Sequence, residues 1–96
     1  MFLSEAEQIS FIDEAESKMP SAFSFAQDEI DQVLQLGSNT TSARMIVSLA
    51  YMRGKTVDEI VSALKETYHG GFGMKTDSHN LSVWYGEDGI RLAKGN

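Results

Sequence analysis

Apolar positions recur at two periods along the chain, and the change from one to the other falls near Gly71. Up to that point they recur at helical spacing. Ile9, Ile12, Ala15 and Met19 predict one face of a first helix, opened by the capping box "SEAE" at Ser4 and Glu7. Ile30, Val33 and Leu34 predict a second helix, opened by "SFAQ" at Ser24 and Gln27 and stopped by Gly37. Ala43, Ile46, Val47 and Ala50 predict a third, capped within Ser38–Thr41 and stopped by Gly54. Val57, Ile60, Val61, Leu64 and Tyr68 predict a fourth, opened by the box Thr56/Glu59 and ended by Gly70.

Beyond Gly71 the period is two. Leu81, Val83 and Tyr85 alternate with Ser82 and Trp84, and Ile90 and Leu92 flank Arg91. With "FGMKT" before the turn-forming "DSHN" and "GEDG" before "IRLAK", three short antiparallel strands are the economical reading. The expected fold is therefore α+β: four helices followed by a small three-stranded antiparallel sheet, an order of elements also found in winged helices. Ile30, Val33, Leu34, Ile46, Val47, Ile60, Val61, Leu64, Leu81 and Val83 are the expected core.

At 96 residues the chain fits one domain. Its parts are an acidic first helix over 1–19, expected to pack loosely, a helical region over 24–70 and a sheet over 71–95. Pro20 disfavours helix at Met19 and separates the first helix from the rest. Net charge is −6, unevenly spread. Residues 1–37 hold eight acids and one base (−7), and the remainder holds six acids and seven bases (+1). An acidic half repels phosphate backbones, so nonspecific nucleic-acid binding by the whole domain is disfavoured.

The absence of cysteine excludes a disulfide framework, a thiol nucleophile and thiolate-bound zinc. The start "MFLSEAEQ" lacks the basic region and apolar run of a signal peptide. No stretch approaches the roughly 18–20 apolar residues of a membrane span. A cytoplasmic location and no membrane partner are expected.

"YHGGFG" is glycine-rich, but a phosphate-binding loop runs from strand to helix, and here a helix precedes a strand. Gly70 or Gly71 is read as a helix C-cap, and Gly73 as a strand glycine that a ring or backbone approaches. His69 and His79 match no ligand spacing, and His69 suits a helix C-terminus. Asp77, Ser78 and His79 adjoin in sequence, whereas a triad is assembled in space. No catalytic, cofactor-binding or metal-binding residue is expected, and the chain is read as not an enzyme.

Trp84 and Tyr85, as strand neighbours, face opposite sides. One is expected in the core and the other exposed or at an interface. Lys65, Lys75, Arg91 and Lys94 are the only plausible phosphate contacts, a thin footprint for DNA. These six residues are the candidate partner-binding set.

The segments "PSAFSF", "LGSNT", "GGFG" and "VWYGEDGI", in this order and spanning nearly the whole chain, resemble a region of very large proteins from Firmicutes conjugative elements and related phages. Those proteins also carry a Swi/Snf-type helicase and an adenine-specific DNA methyltransferase. None of the helicase or methyltransferase catalytic motifs stands here. The resemblance implies an excised accessory module of a DNA-processing polypeptide that continues past Gly95, making Asn96 an artificial boundary. Its partners would be other modules of the parent polypeptide or a protein partner. The alternative is a weak DNA contact by a winged-helix-like domain.

Overall fold

A computed structural model describes residues 1–18 and 27–95. Four helices, α1 (Glu5–Lys18), α2 (Gln27–Leu34), α3 (Thr40–Met52) and α4 (Val57–Glu66), precede strands β1 (Gly70–Lys75), β2 (Asn80–Gly86) and β3 (Gly89–Lys94). The strands form one antiparallel sheet in the order β1-β2-β3. The α+β architecture is the one that the change of period predicts. No helix among the described residues is long and apolar enough to cross a membrane.

The caps explain the helix boundaries. At α1 the Ser4 N–H donates to Glu7 Oε1 (3.0 Å) and the Glu7 N–H to Ser4 Oγ (3.1 Å), a reciprocal box. Thr56 and Glu59 repeat it at α4. Asn39 caps α3 by accepting from the Ser42 N–H at 2.8 Å. The expected box at Ser24, the end at Met19 and the break at Pro20 lie outside the described residues.

Helix α3 is the hub. Ser42, Ala43, Met45, Ile46, Val47, Ser48, Leu49 and Ala50 are all buried, so the helix is covered on every side, as a helix apolar around its circumference must be. Its alanines and serines let α1, α2 and α4 approach closely. The two buried hydroxyls are satisfied: Ser42 Oγ donates to Gln8 Oε1 (2.9 Å) and Ser48 Oγ to the Arg44 carbonyl (2.7 Å). Helix α4 packs against β2 and α3 against β3, so the helices cover one face of the sheet. That inner face carries Met74, Leu81, Val83, Ile90 and Leu92, all buried in the single core.

Five expectations change. First, α1 is not loosely attached: Phe11, Ile12 and Ala15 are in the core, and its buried stripe is 8-11-12-15. Ile9 is 42 % exposed because the helix turns the larger Phe11 inward instead. Gln8 completes the stripe because Ser42 and the Leu3 carbonyl hydrogen-bond its amide. Second, Leu34 is half-buried against the core and not inside it. Third, Tyr68 lies outside, 47 % exposed, stacked edge-on against Tyr85 at 5.0 Å. Helix α4 ends two residues before it, so Tyr68 leaves the inward helical face.

Fourth, the left-handed residue after α4 is His69 (φ 69°), not Gly70 or Gly71. Histidine is among the non-glycine residues that tolerate this region, and its N–H is anchored on the Tyr85 carbonyl at 2.8 Å. Fifth, the close ring approach occurs at Gly71, not Gly73. A Cβ at Gly71 would sit 2.6 Å from the Val83 carbonyl oxygen and 2.9 Å from Trp84 Cδ2, whereas at Gly73 the nearest atom is 4.0 Å away.

The uneven charge also has a structural use. Acids of α1 meet basic side chains of the second half: Glu16 with Arg44 (2.5 Å), Glu7 with Lys94 (3.0 Å) and Glu14 with His79 (2.6 Å). Contacts as exposed as these are screened by solvent and contribute little net stability. The buried stripe, more than the charge, holds α1 in place.

Candidate functional site

The outer face of the sheet is set by register. Gly71 pairs with Trp84 and Trp84 with Arg91, while Gly73 pairs with Ser82 and Ser82 with Ala93. Directly opposed residues share a face, so Gly71, Gly73, Lys75, Asn80, Ser82, Trp84, Arg91 and Ala93 lie on the side away from the helices. Most of them are exposed. Two glycines, a serine and an alanine make the middle of this face flat.

At one end of the face a row of larger groups stands up. The Trp84 indole lies across Gly71 and remains 46 % exposed. Beside it Arg91 places its guanidinium carbon 3.7 Å from the centre of the Phe2 ring, a cation–π contact. Phe2 reaches this position because it bridges Ala93 and the Leu3 N–H donates to the Leu92 carbonyl at 2.7 Å, which lays the N-terminal residues along β3. Trp84, Arg91 and Phe2 of this row border a concavity of about 410 Å³ that His69, Gly70, Glu87 and Asp88 also line.

The six sequence-derived candidates are thus divided. Trp84, Arg91 and Lys75 share the outer face, with Lys75 at the end opposite Trp84. Tyr85 faces the helix side, half-buried against the core. Lys65 is exposed on α4, which packs on the inner face, and so lies on the far side of the molecule. Lys94 is engaged by Glu7. Phe2 and Gly71 belong to the row and were not foreseen. A phenylalanine near the chain start gives no local signal that it will pair with a strand ninety-odd residues away.

A second cluster joins α1 to the β1–β2 turn. His79 Nε2 is 2.6 Å from Glu14 Oε2, the Ser78 hydroxyl donates to Glu14 Oε1 at 3.3 Å, and the imidazole meets Phe11 edge-on at 4.5 Å. The serine hydroxyl bonds the carboxylate and not the imidazole, so the three groups do not form a nucleophile–base relay. They form a clasp over a cleft of about 410 Å³ floored by Phe11, Met45 and Leu81.

The hydrogen bond from His79, chiefly, holds the Glu14 carboxyl below its ordinary range, against an opposing desolvation. Folding thus lowers this pKa. The stabilisation it brings is fully present above the ordinary carboxylate value and is lost as pH falls through the folded value. The Glu14→Gln variant is expected to be less stable than the parent at neutral pH, with the gap closing in acid. Urea midpoints at pH 7 and pH 3 measure it, and an equal gap at both would remove Glu14 from the clasp.

A scan against protein-family models gives no match to this chain, and searches of curated proteins and of solved structures give none either.

Proposed function

We propose that this chain is a non-catalytic interaction module whose outer sheet face docks against a protein partner. The setting implied by the sequence resemblance makes that partner a neighbouring module of a large mobile-element DNA-processing protein. The observation that supports the reading is an open, flat face with an exposed tryptophan, an arginine and a phenylalanine in one row at its end. Aromatic residues and arginine are the types that anchor protein interfaces, and small neighbours allow close approach around them.

The alternative, weak DNA binding, draws less support from the cations. Lys65 is on the opposite side, Lys94 is tied to Glu7, and Arg91 sits over Phe2 beside Glu87 and Asp88. The β1–β2 turn, the element a wing would use, is clasped to acidic α1.

Titrating the full chain against the adjacent modules, and separately against duplex DNA over a range of salt, separates the readings. Trp84→Ala is expected to weaken the protein complex by about 2 kcal/mol or more. Binding should change little with salt. Lys75→Glu and Arg91→Glu should matter less than Trp84→Ala. A DNA complex that weakens steeply with salt and responds to the charge reversals, but not to Trp84→Ala, would reverse the assignment.

A further inference from the structure

The outer face of the sheet has a gap at the end that holds the β2–β3 turn. On β2 the outward position after Trp84 is Gly86, which brings no side chain, so the floor there is bare backbone. Walls rise around it. The His69 N–H is fixed on the Tyr85 carbonyl at 2.8 Å, and His69 Nδ1 lies 3.7 Å from where a Cβ on Gly86 would stand. The imidazole thus borders the gap from the β1 side. Trp84 walls it along β2 and the Arg91–Phe2 stack along β3, while Glu87 and Asp88 of the turn close the end. Together these groups line the concavity of about 410 Å³.

The lining selects the sign of an occupant. Among the described residues, neither Glu87 nor Asp88 makes an ion pair or a side-chain hydrogen bond. Arg91 shares the concavity, but it rests on the Phe2 ring and pairs with neither carboxylate. Two carboxylates against one guanidinium leave the concavity negative, on a chain of net charge −6. The faces of indole and phenyl rings are themselves negative and attract cations. A guanidinium suits both kinds of wall. Its plane stacks on an aromatic face while its edge donates two parallel N–H groups to a carboxylate. Arg91 on Phe2 is that stacking already made by the chain itself.

We infer that this concavity is a socket for one arginine side chain of the partner, with its guanidinium against Trp84 and its N–H groups on Glu87 and Asp88. The inference deepens the proposal that this face docks a protein, and it rests on that proposal. A single ion contact beside aromatic walls agrees with binding that changes little with salt.

Trp84 is the only tryptophan of the chain, so its fluorescence reads occupancy of the socket directly. The test titrates the full chain with a short capped peptide of glycine and serine around one arginine. Counterparts carry citrulline, lysine or glutamate in place of the arginine. The arginine peptide is expected to change Trp84 emission saturably, with a Kd of about 1 mM. It should outbind the lysine peptide, which has a charge but no plane to stack. It should outbind the citrulline peptide, which keeps the shape and loses the charge, by at least about tenfold. Glu87→Gln combined with Asp88→Asn, at exposed turn positions, should weaken arginine binding by at least about tenfold and also weaken the complex with the adjacent modules. Lys75→Gln, at the far end of the face, should change neither. Equal binding of the arginine and citrulline peptides, preference for the glutamate peptide, or wild-type behaviour of the double variant in either assay would overturn the inference. Those results leave the docking proposal standing where Trp84→Ala still weakens the module complex. A module complex that ignores Trp84→Ala would sink that proposal itself.

Discussion

Truncation of Leu64 to Ala is expected to destabilise the fold by roughly 2–5 kcal/mol, the range for a buried leucine that leaves a cavity. Leu64 is fully buried on the inward stripe of α4, in the same cluster as Val83 on β2. Helix α4 and the sheet share that cluster, so the void would open at the seam between the helical and β parts of the core. The loss is a large fraction of a typical stability of about 5–15 kcal/mol. Ser62→Ala, at an exposed position on the same helix, is the control and should stay within about 0.5 kcal/mol. Urea denaturation of the two variants measures the difference. A cost for Leu64→Ala below about 1 kcal/mol would take Leu64 out of the core.

Leu64 could be assigned to the core in advance because its environment is local. Its neighbours on the stripe, Val57, Ile60 and Val61, recur at helical spacing, and a capping box fixes where the helix starts. The same holds for the hairpins, whose turn residues and alternation are adjacent in sequence. What was not legible is what depends on distant partners. Gln8 looks like a surface residue until Ser42 is brought to it, and only then does the stripe shift away from Ile9. The clasp needs Glu14 and His79, which lie in elements at opposite ends of the chain.

The candidate site shows the same division. Alternation put Trp84 and Tyr85 on opposite faces, and the register then gave Trp84 to the outer one. Four lysines and arginines counted together from sequence did not make one surface, because charge counting carries no information about which side of the sheet each stands on. Gly71 and Gly73 are indistinguishable as letters. One lies under an indole and the other lies open at an edge.

Two further glycines, read from sequence only as places where the chain turns, meet backbone to backbone. Gly37 ends α2 and Gly89 ends the β2–β3 turn, both at φ +86°. A Cβ built on Gly89 would lie 1.6 Å from the Gly37 carbonyl oxygen, a backbone atom that no side-chain rotation can move. Gly89→Ala is therefore expected to cost roughly 2–5 kcal/mol, combining about 1–2 for the left-handed conformation with about 1–3 for forcing two elements apart. Gly54 separates the two contributions. It has φ +66° with nothing within 4 Å of its Cβ position, so Gly54→Ala carries the conformational cost alone, about 1–2 kcal/mol. Chemical denaturation of both variants gives the contact contribution as their difference. Equal costs at the two positions would mean that α2 and the β2–β3 turn do not touch as described, and that each glycine serves its own turn only.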